Sequence, residues 1–143
     1  MGILNLTPDS FYDGNPNIDS NFLKDKLQTF KYADIIDVGA ESTRPFSDAI
    51  SIDEEINRLS LFMNIKGSIN KTLSIDSYKP EVIKYALDNG FDIINDISGG
   101  GDCNLNIKLA SEYNVPIIIM HMQGEPKTMQ LEPKYDNVID DIM

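Results

Sequence analysis

Five short apolar runs, at residues 3–6, 35–38, 72–75, 93–97 and 115–120, recur along the chain with helical periodicity between them. Each is rich in Ile, Val or Leu and too short for a helix, so each reads as a strand buried on both faces. Strands that alternate with helices run parallel, because each helix carries the chain back to the starting edge by a right-handed crossover. That alternation narrows the fold to a doubly wound sheet or a (β/α) barrel.

The helices have their own signals. The first is expected near Asp19, with Phe22, Leu23, Leu27 and Phe30 on one face. The second has Ser51 and Glu54 in capping-box spacing, then a stripe of Ile52, Ile56, Leu59 and Met63. The third opens with Pro80, carries Val82, Ile83, Ala86 and Leu87, and stops at Asn89-Gly90. A weaker fourth pattern covers 105–113, and a fifth helix is expected to begin near Tyr135. The 143 residues amount to one domain's worth of chain.

Where each run ends is more informative than the runs themselves. They finish in Asn5, Asp37, Asp76, Asn95-Asp96 and His121. One Asx at a strand end has an ordinary use, capping the next turn or helix. Five strands that each deliver a carboxylate, amide or imidazole to one rim are hard to explain by capping. In a (β/α) barrel that rim carries the active site. No G-x-G-x-x-G follows the first run, so the dinucleotide-binding sheet is disfavoured, and the barrel is the expected fold.

Charge and composition limit the partners. Twelve basic against 23 acidic residues give a net charge of −11. That balance offers no clustered basic surface for nucleic acid, and no attraction to an anionic membrane. No apolar stretch approaches the roughly 18 residues of a membrane helix. A single histidine excludes a multi-His metal site. Met1 leads directly into GILNLTPDS without a basic leader. The lone Cys103 fits a reducing compartment, so a cytoplasmic location is expected.

The strand-end segments read GILNLTPDSFYDGN at 2–15, DVGAESTRPF at 37–46, SIDSYKPEV at 74–82, INDISGG at 94–100 and HMQGEPKTMQ at 121–130. In order and spacing this set closely resembles the dihydropteroate synthase family of folate biosynthesis, the sulfonamide targets. GILNLTPDSF and ESTRP are the most specific segments. Ala40, Tyr12 and Phe46 depart from the commonest family pattern; Phe46 replaces a permissive glycine and puts the path of its loop in question. The resemblance implies a (β/α)8 barrel, of which these residues would be about the first five βα units and part of a single pterin-binding domain. It also implies transfer of the dihydropterinylmethyl group of (7,8-dihydropterin-6-yl)methyl diphosphate onto 4-aminobenzoate with release of diphosphate, assisted by Mg²⁺, in an enzyme that dimerises through later helices. The 143-residue chain alone is expected to be inactive. The other readings are a non-catalytic pterin-binding module and a methyltetrahydrofolate-dependent methyltransferase barrel; the TPDSF and ESTRP segments favour the synthase.

Carried over residue by residue, the resemblance implies that Asp76 and Asn95 bind the pterin, whose ring N–H and amino groups suit a carboxylate and an amide. Thr43 and Arg44 would hold the diphosphate, for which a forked guanidinium is well shaped. Asn5 and Asp9 would lie at the metal, and Phe11 and Pro45 at the aminobenzoate ring. Met120 would line the apolar face of the pterin. Asp76, Asn95 and Arg44 are the candidate catalytic residues. Asp37 is expected to orient the second loop, Asp96 to support at most, and His121 to be structural or peripheral, because a neutral aryl amine needs no strong base.

Overall fold

The computed structural model describes residues 1–7, 20–42, 49–67, 69–99, 104–123 and 132–142. Strands and helices alternate throughout: β1 (Gly2–Asn5), α1 (Ser20–Thr29), β2 (Ile35–Gly39), α2 (Ile52–Lys66), β3 (Thr72–Asp76), α3 (Pro80–Asp88), β4 (Ile93–Asp96), α4 (Leu105–Tyr113), β5 (Ile117–Ile119) and α5 (Val138–Ile142). All neighbouring strands are parallel, and their order in space is their order in sequence, β1-β2-β3-β4-β5. A doubly wound sheet reverses its strand order at a switch point. This one does not, and α1 to α4 pack each on the next. The sheet is therefore wound in one direction with its helices along one side, as an arc of a (β/α) barrel is.

Local chemistry explains the element ends. Ser51 caps α2, its hydroxyl accepting from the Glu54 N–H at 3.2 Å. Only half of the expected capping box forms, because the Glu54 carboxylate pairs with Arg58 at 2.9 Å one turn on. Pro80 opens α3, where its missing N–H costs nothing. Asn89 ends it, and Gly90 turns the chain at φ +78°, which an L side chain would resist.

The core lies between sheet and helices. Leu4, Val38, Ile75 and Ile94 come from successive strands and are at most 1% exposed; Leu23, Leu59, Phe62, Val82 and Ile83 meet them from the helices. The opposite face is different. Ile3 is 62% exposed and Ile118 is 43% exposed. Strands buried on both faces were expected from the apolar runs, and this holds for neither edge strand. Helices cover one side only, so inward-facing residues of β1 and β5 meet no packed layer. The fifth run also shortens at both ends: of 115–120 only Ile117–Ile119 pairs as a strand.

Candidate functional site

Parallel pairing sets residues into rows, and one row crosses the sheet at its C-terminal rim. Asn5 pairs with Gly39, Gly39 with Asp76, Asp76 with Asn95 and Asn95 with Ile118. Register partners share a face, so these residues point to the side that the helices leave open. Two residues earlier on each strand lies a deeper row on the same face: Ile3, Asp37, Ser74 and Ile93. Two carboxylates and two amides thus project from four adjacent strands onto one surface.

Their geometry is specific. The Asn95 Nδ2 donates to Asp37 Oδ2 at 2.9 Å. Asp37 is 4% exposed, and its other oxygen is buried without a protein partner, as is Asp76 Oδ1. Burial pushes the Asp76 carboxyl up to about 7, and the nearby carboxylates of Asp37 and Glu55 add to the push. Asp76 is therefore a carboxyl that holds or gives up its proton near neutrality, on a face with room for a ligand.

Gly39 makes that room. A Cβ there would lie 3.1 Å from Asp76 Oδ2 and 3.6 Å from Asn5 Oδ1. Its φ is not positive, so space and not backbone freedom is what glycine supplies. Periodicity has no signal for this role. The signal that could have found it is the register: Gly39 stands between Asn5 and Asp76 in the row.

The structure brings together Asn5, Asp76 and Asn95 of the expected site. Met120 follows Ile118 by two positions, which places it on the same face, and its N–H donates to the Asp96 carbonyl at 3.1 Å. Asp9, Phe11, Thr43, Arg44 and Pro45 lie outside the described residues. Asp37 lies one layer below the rim, where its carboxylate holds the Asn95 amide; residues 43–48 of the second loop, which it is expected to orient, lie outside the described residues.

Asp96 faces the helices. It is fully buried, accepts from the Ser98 N–H at 2.7 Å and hydroxyl at 2.6 Å, and takes the Asn106 amide at 3.0 Å. It fastens the turn after β4 to α4 and does not reach the open face. His121 is exposed; its Nε2 lies 3.1 Å from the Tyr135 hydroxyl.

A charged cluster braces the rim beside this row. Lys79 bridges Glu41 at 2.7 Å and the fully buried Glu55 at 2.8 Å, and donates to the Ile50 carbonyl at 2.7 Å. Glu41 also accepts from the Ile50 N–H at 3.1 Å, and Arg58 donates to the Ala40 carbonyl at 3.0 Å. Burial pushes the Glu55 carboxyl up, against the bond from Lys79. Burial lowers the Lys79 ammonium, but its two carboxylate partners more than offset that and its net shift is upward. The two sides of the β2–α2 connection are thereby tied to each other and to the β3–α3 turn.

Among the described residues no group of three or more His, Cys, Asp or Glu side chains could hold a metal ion. Asn5 offers a neutral oxygen at the end of β1. One amide fits Mg²⁺ only where the ion keeps waters and takes its remaining oxygens from a bound phosphate. No helix of the described residues is long and apolar enough to cross a membrane.

The comparisons agree with this geometry. The family profile described as pterin binding enzyme matches residues 1–143. The chain is 44% identical to the mitochondrial folate synthesis bifunctional protein of Pisum sativum, over 99% of this chain and 29% of that protein. The dihydropteroate synthase of Yersinia pestis, solved with a sulfonamide drug complex, superposes with a TM-score of 0.87 at 36% identity, covering 99% of this chain and 52% of that one. The Burkholderia cenocepacia dihydropteroate synthase complexed with 7,8-dihydropteroate gives a TM-score of 0.74 at 38% identity, over 99% of this chain and 48% of that one. The chain thus spans about half of each solved synthase and under a third of the plant protein. With its whole length matched, its five βα units superposed and its polar row on the open face, the chain belongs to the pterin binding enzyme family.

Proposed function

We propose that this chain supplies the pterin-binding half of a dihydropteroate synthase. The observation that carries the reading is the row Asn5–Gly39–Asp76–Asn95, an acceptor-rich surface on the open face of a barrel arc. A pterin carries ring N–H and amino donors that match such a surface. The reaction assigned to it is the one that the GILNLTPDSF and ESTRP segments imply by resemblance: 4-aminobenzoate displaces diphosphate from the methylene of (7,8-dihydropterin-6-yl)methyl diphosphate. A C–N bond forms as the C–O bond to diphosphate breaks, and the amine gives up a proton.

Little covalent work falls to the protein in such a displacement; positioning and charge stabilisation do most of it. Asp76 and Asn95 hold the pterin. Gly39 keeps the floor low enough for a flat ring to approach. Thr43 and Arg44 are assigned to the leaving diphosphate, and Phe11 and Pro45 to the aminobenzoate ring, on the strength of the ESTRP and TPDSF segments. Met120 lies against the pterin face. Mg²⁺, held by Asn5 and Asp9 with phosphate oxygens, would neutralise the diphosphate. The rim cluster of Glu41, Lys79 and Glu55 fixes the flanks of the segment that carries Thr43 and Arg44. The assembled enzyme is assigned as a homodimer in the cytoplasm.

The test is a dihydropteroate-forming assay on the full-length protein with pterin diphosphate, 4-aminobenzoate and Mg²⁺. Product should form, and a sulfonamide should suppress it competitively with 4-aminobenzoate. Failure to bind pterin diphosphate, together with no product, would sink the reading.

A further inference from the structure

We infer that Asp37 is a positioning residue, whose carboxylate fixes the Asn95 amide so that Oδ1 is the atom turned to the ligand. The inference rests on the pterin reading above and deepens it, because it states which hydrogen-bond polarity the site presents.

A carboxylate has only acceptor oxygens, whereas an amide has a donor end and an acceptor end of nearly the same shape. Asn95 lies 2.9 Å from Asp37 Oδ2. With the amide reversed, two acceptor oxygens would face each other at that distance. The orientation with Nδ2 toward Asp37 therefore follows from chemistry, independent of how the two ends of the amide are assigned.

Asp37 is well suited to this task. It sits on β2, between β1 and β3, and is 4% exposed. A buried side chain on an inner strand loses little further freedom when a ligand binds, so the amide is preorganised. The consequence is directional. Asn95 Oδ1, the Asp76 carboxyl and Asn5 Oδ1 together form a surface dominated by acceptors, and a ligand edge rich in donors fits it. A ring of equal shape with an oxo group in place of an amino group would set acceptor against acceptor.

The measurement is selectivity. In the full-length protein, the dissociation constants of a 6-hydroxymethyl pterin and of its 2-oxo analogue are compared. Wild type should prefer the pterin. In Asp37→Asn the residue at position 37 can accept or donate, so the Asn95 amide is free to reverse. The preference should fall by about tenfold, the discrimination that one hydrogen bond supplies. A merely structural role would weaken both ligands alike, and an unchanged ratio would overturn the inference.

Where Asp37→Asn impairs folding, the combination with Asn95→Asp restores the bond with roles exchanged. The amide at 37 then donates to the carboxylate at 95, which still shows an acceptor to the ligand. This double variant should recover the wild-type ratio, and a ratio no better than that of the single variant would refute the assignment. Absence of pterin binding in the wild type would instead count against the proposed function, whatever Asp37 does.

Discussion

The two faces of the sheet divide the labour of this molecule, and the division is made residue by residue along the same strands. On β3, Leu73 and Ile75 face the helices and are buried, while Ser74 and Asp76 face the other way. On β4, Ile94 joins the core while Asn95 joins the site. Alternation with period two lets one short strand serve both purposes. The covered face is mostly apolar, with Asp96 as its polar exception on β4, so its contribution is chiefly hydrophobic. The open face gathers Asp37 and Asp76, with a hydrogen bond donated by the Asn95 amide to Asp37. Burial, and after it the Asp37 carboxylate, raises the Asp76 carboxyl to about 7; this disfavours folding at high pH while it prepares a binding surface.

The largest separation of the two faces is expected at Ile75, which is fully buried in the core cluster. Ile75→Ala removes side-chain volume from a packed layer and should cost about 2–5 kcal/mol of stability. Calorimetric melting would read the loss. Below the melting transition, pterin affinity should stay within a few-fold of wild type, because the neighbouring Asp76 points away from the cavity. A loss of affinity as large as the loss of stability would show that the two faces are not independent.

Asp76→Asn reverses the pattern, and its sign depends on pH. The folded carboxyl sits at about 7 against an ordinary 3.8, so the folded state binds the proton more tightly than the unfolded chain does. The stability linked to that proton is complete below about pH 3.8 and is lost as pH rises through about 7. Pterin binding runs the opposite way, since a ring N–H is accepted best by the ionised form, and affinity should rise between pH 6 and 8. Asp76→Asn should flatten both profiles. Near pH 8 it should melt above wild type, yet bind the pterin about 1.5–3 kcal/mol more weakly, the usual worth of a bond to a charged group. Titration calorimetry at pH 6 and pH 8 would check the binding arm. A wild-type affinity that fell as pH rose would contradict it.

Much of this division was legible in the sequence, and what was missed has a physical reason. The alternation of apolar runs with helical stripes set the order of elements, and the cap at Ser51 and the stop at Asn89-Gly90 were readable from local chemistry. Asp76 and Asn95 stood out as polar residues at strand ends. The burial of each strand face was not readable, because an apolar run such as Ile117–Ile119 looks the same whether one face or two are covered. Nor was the partnership of Asp37 with Asn95, which are 58 residues apart and meet across β3 only once the register is known. Asp96 shows the converse: it shares the strand end with Asn95, but alternation sends it into the helix layer.

The smallest expected effect is the one that tests the open face most directly. Gly39 contributes no side chain, so Gly39→Ala removes no contact. Its φ lies where any residue is comfortable, and the added methyl restricts the unfolded chain, which favours folding by about 0.4–1 kcal/mol at a compatible site. Against that, the new Cβ would stand 3.1 Å from Asp76 Oδ2 and 3.4 Å from Asp76 Cβ. That distance is tight enough to shift the carboxylate by a few tenths of an ångström. The two terms oppose each other in stability, and the melting temperature should move little. In binding they do not cancel, because a displaced acceptor and a raised floor both act against the ligand. Pterin affinity should fall several-fold while the affinity for 4-aminobenzoate, read in the presence of diphosphate, stays near wild type. If Gly39→Ala left pterin affinity unchanged, the ring would have to lie elsewhere than over the Gly39–Asp76 step, and the row would lose its place as the floor of the site.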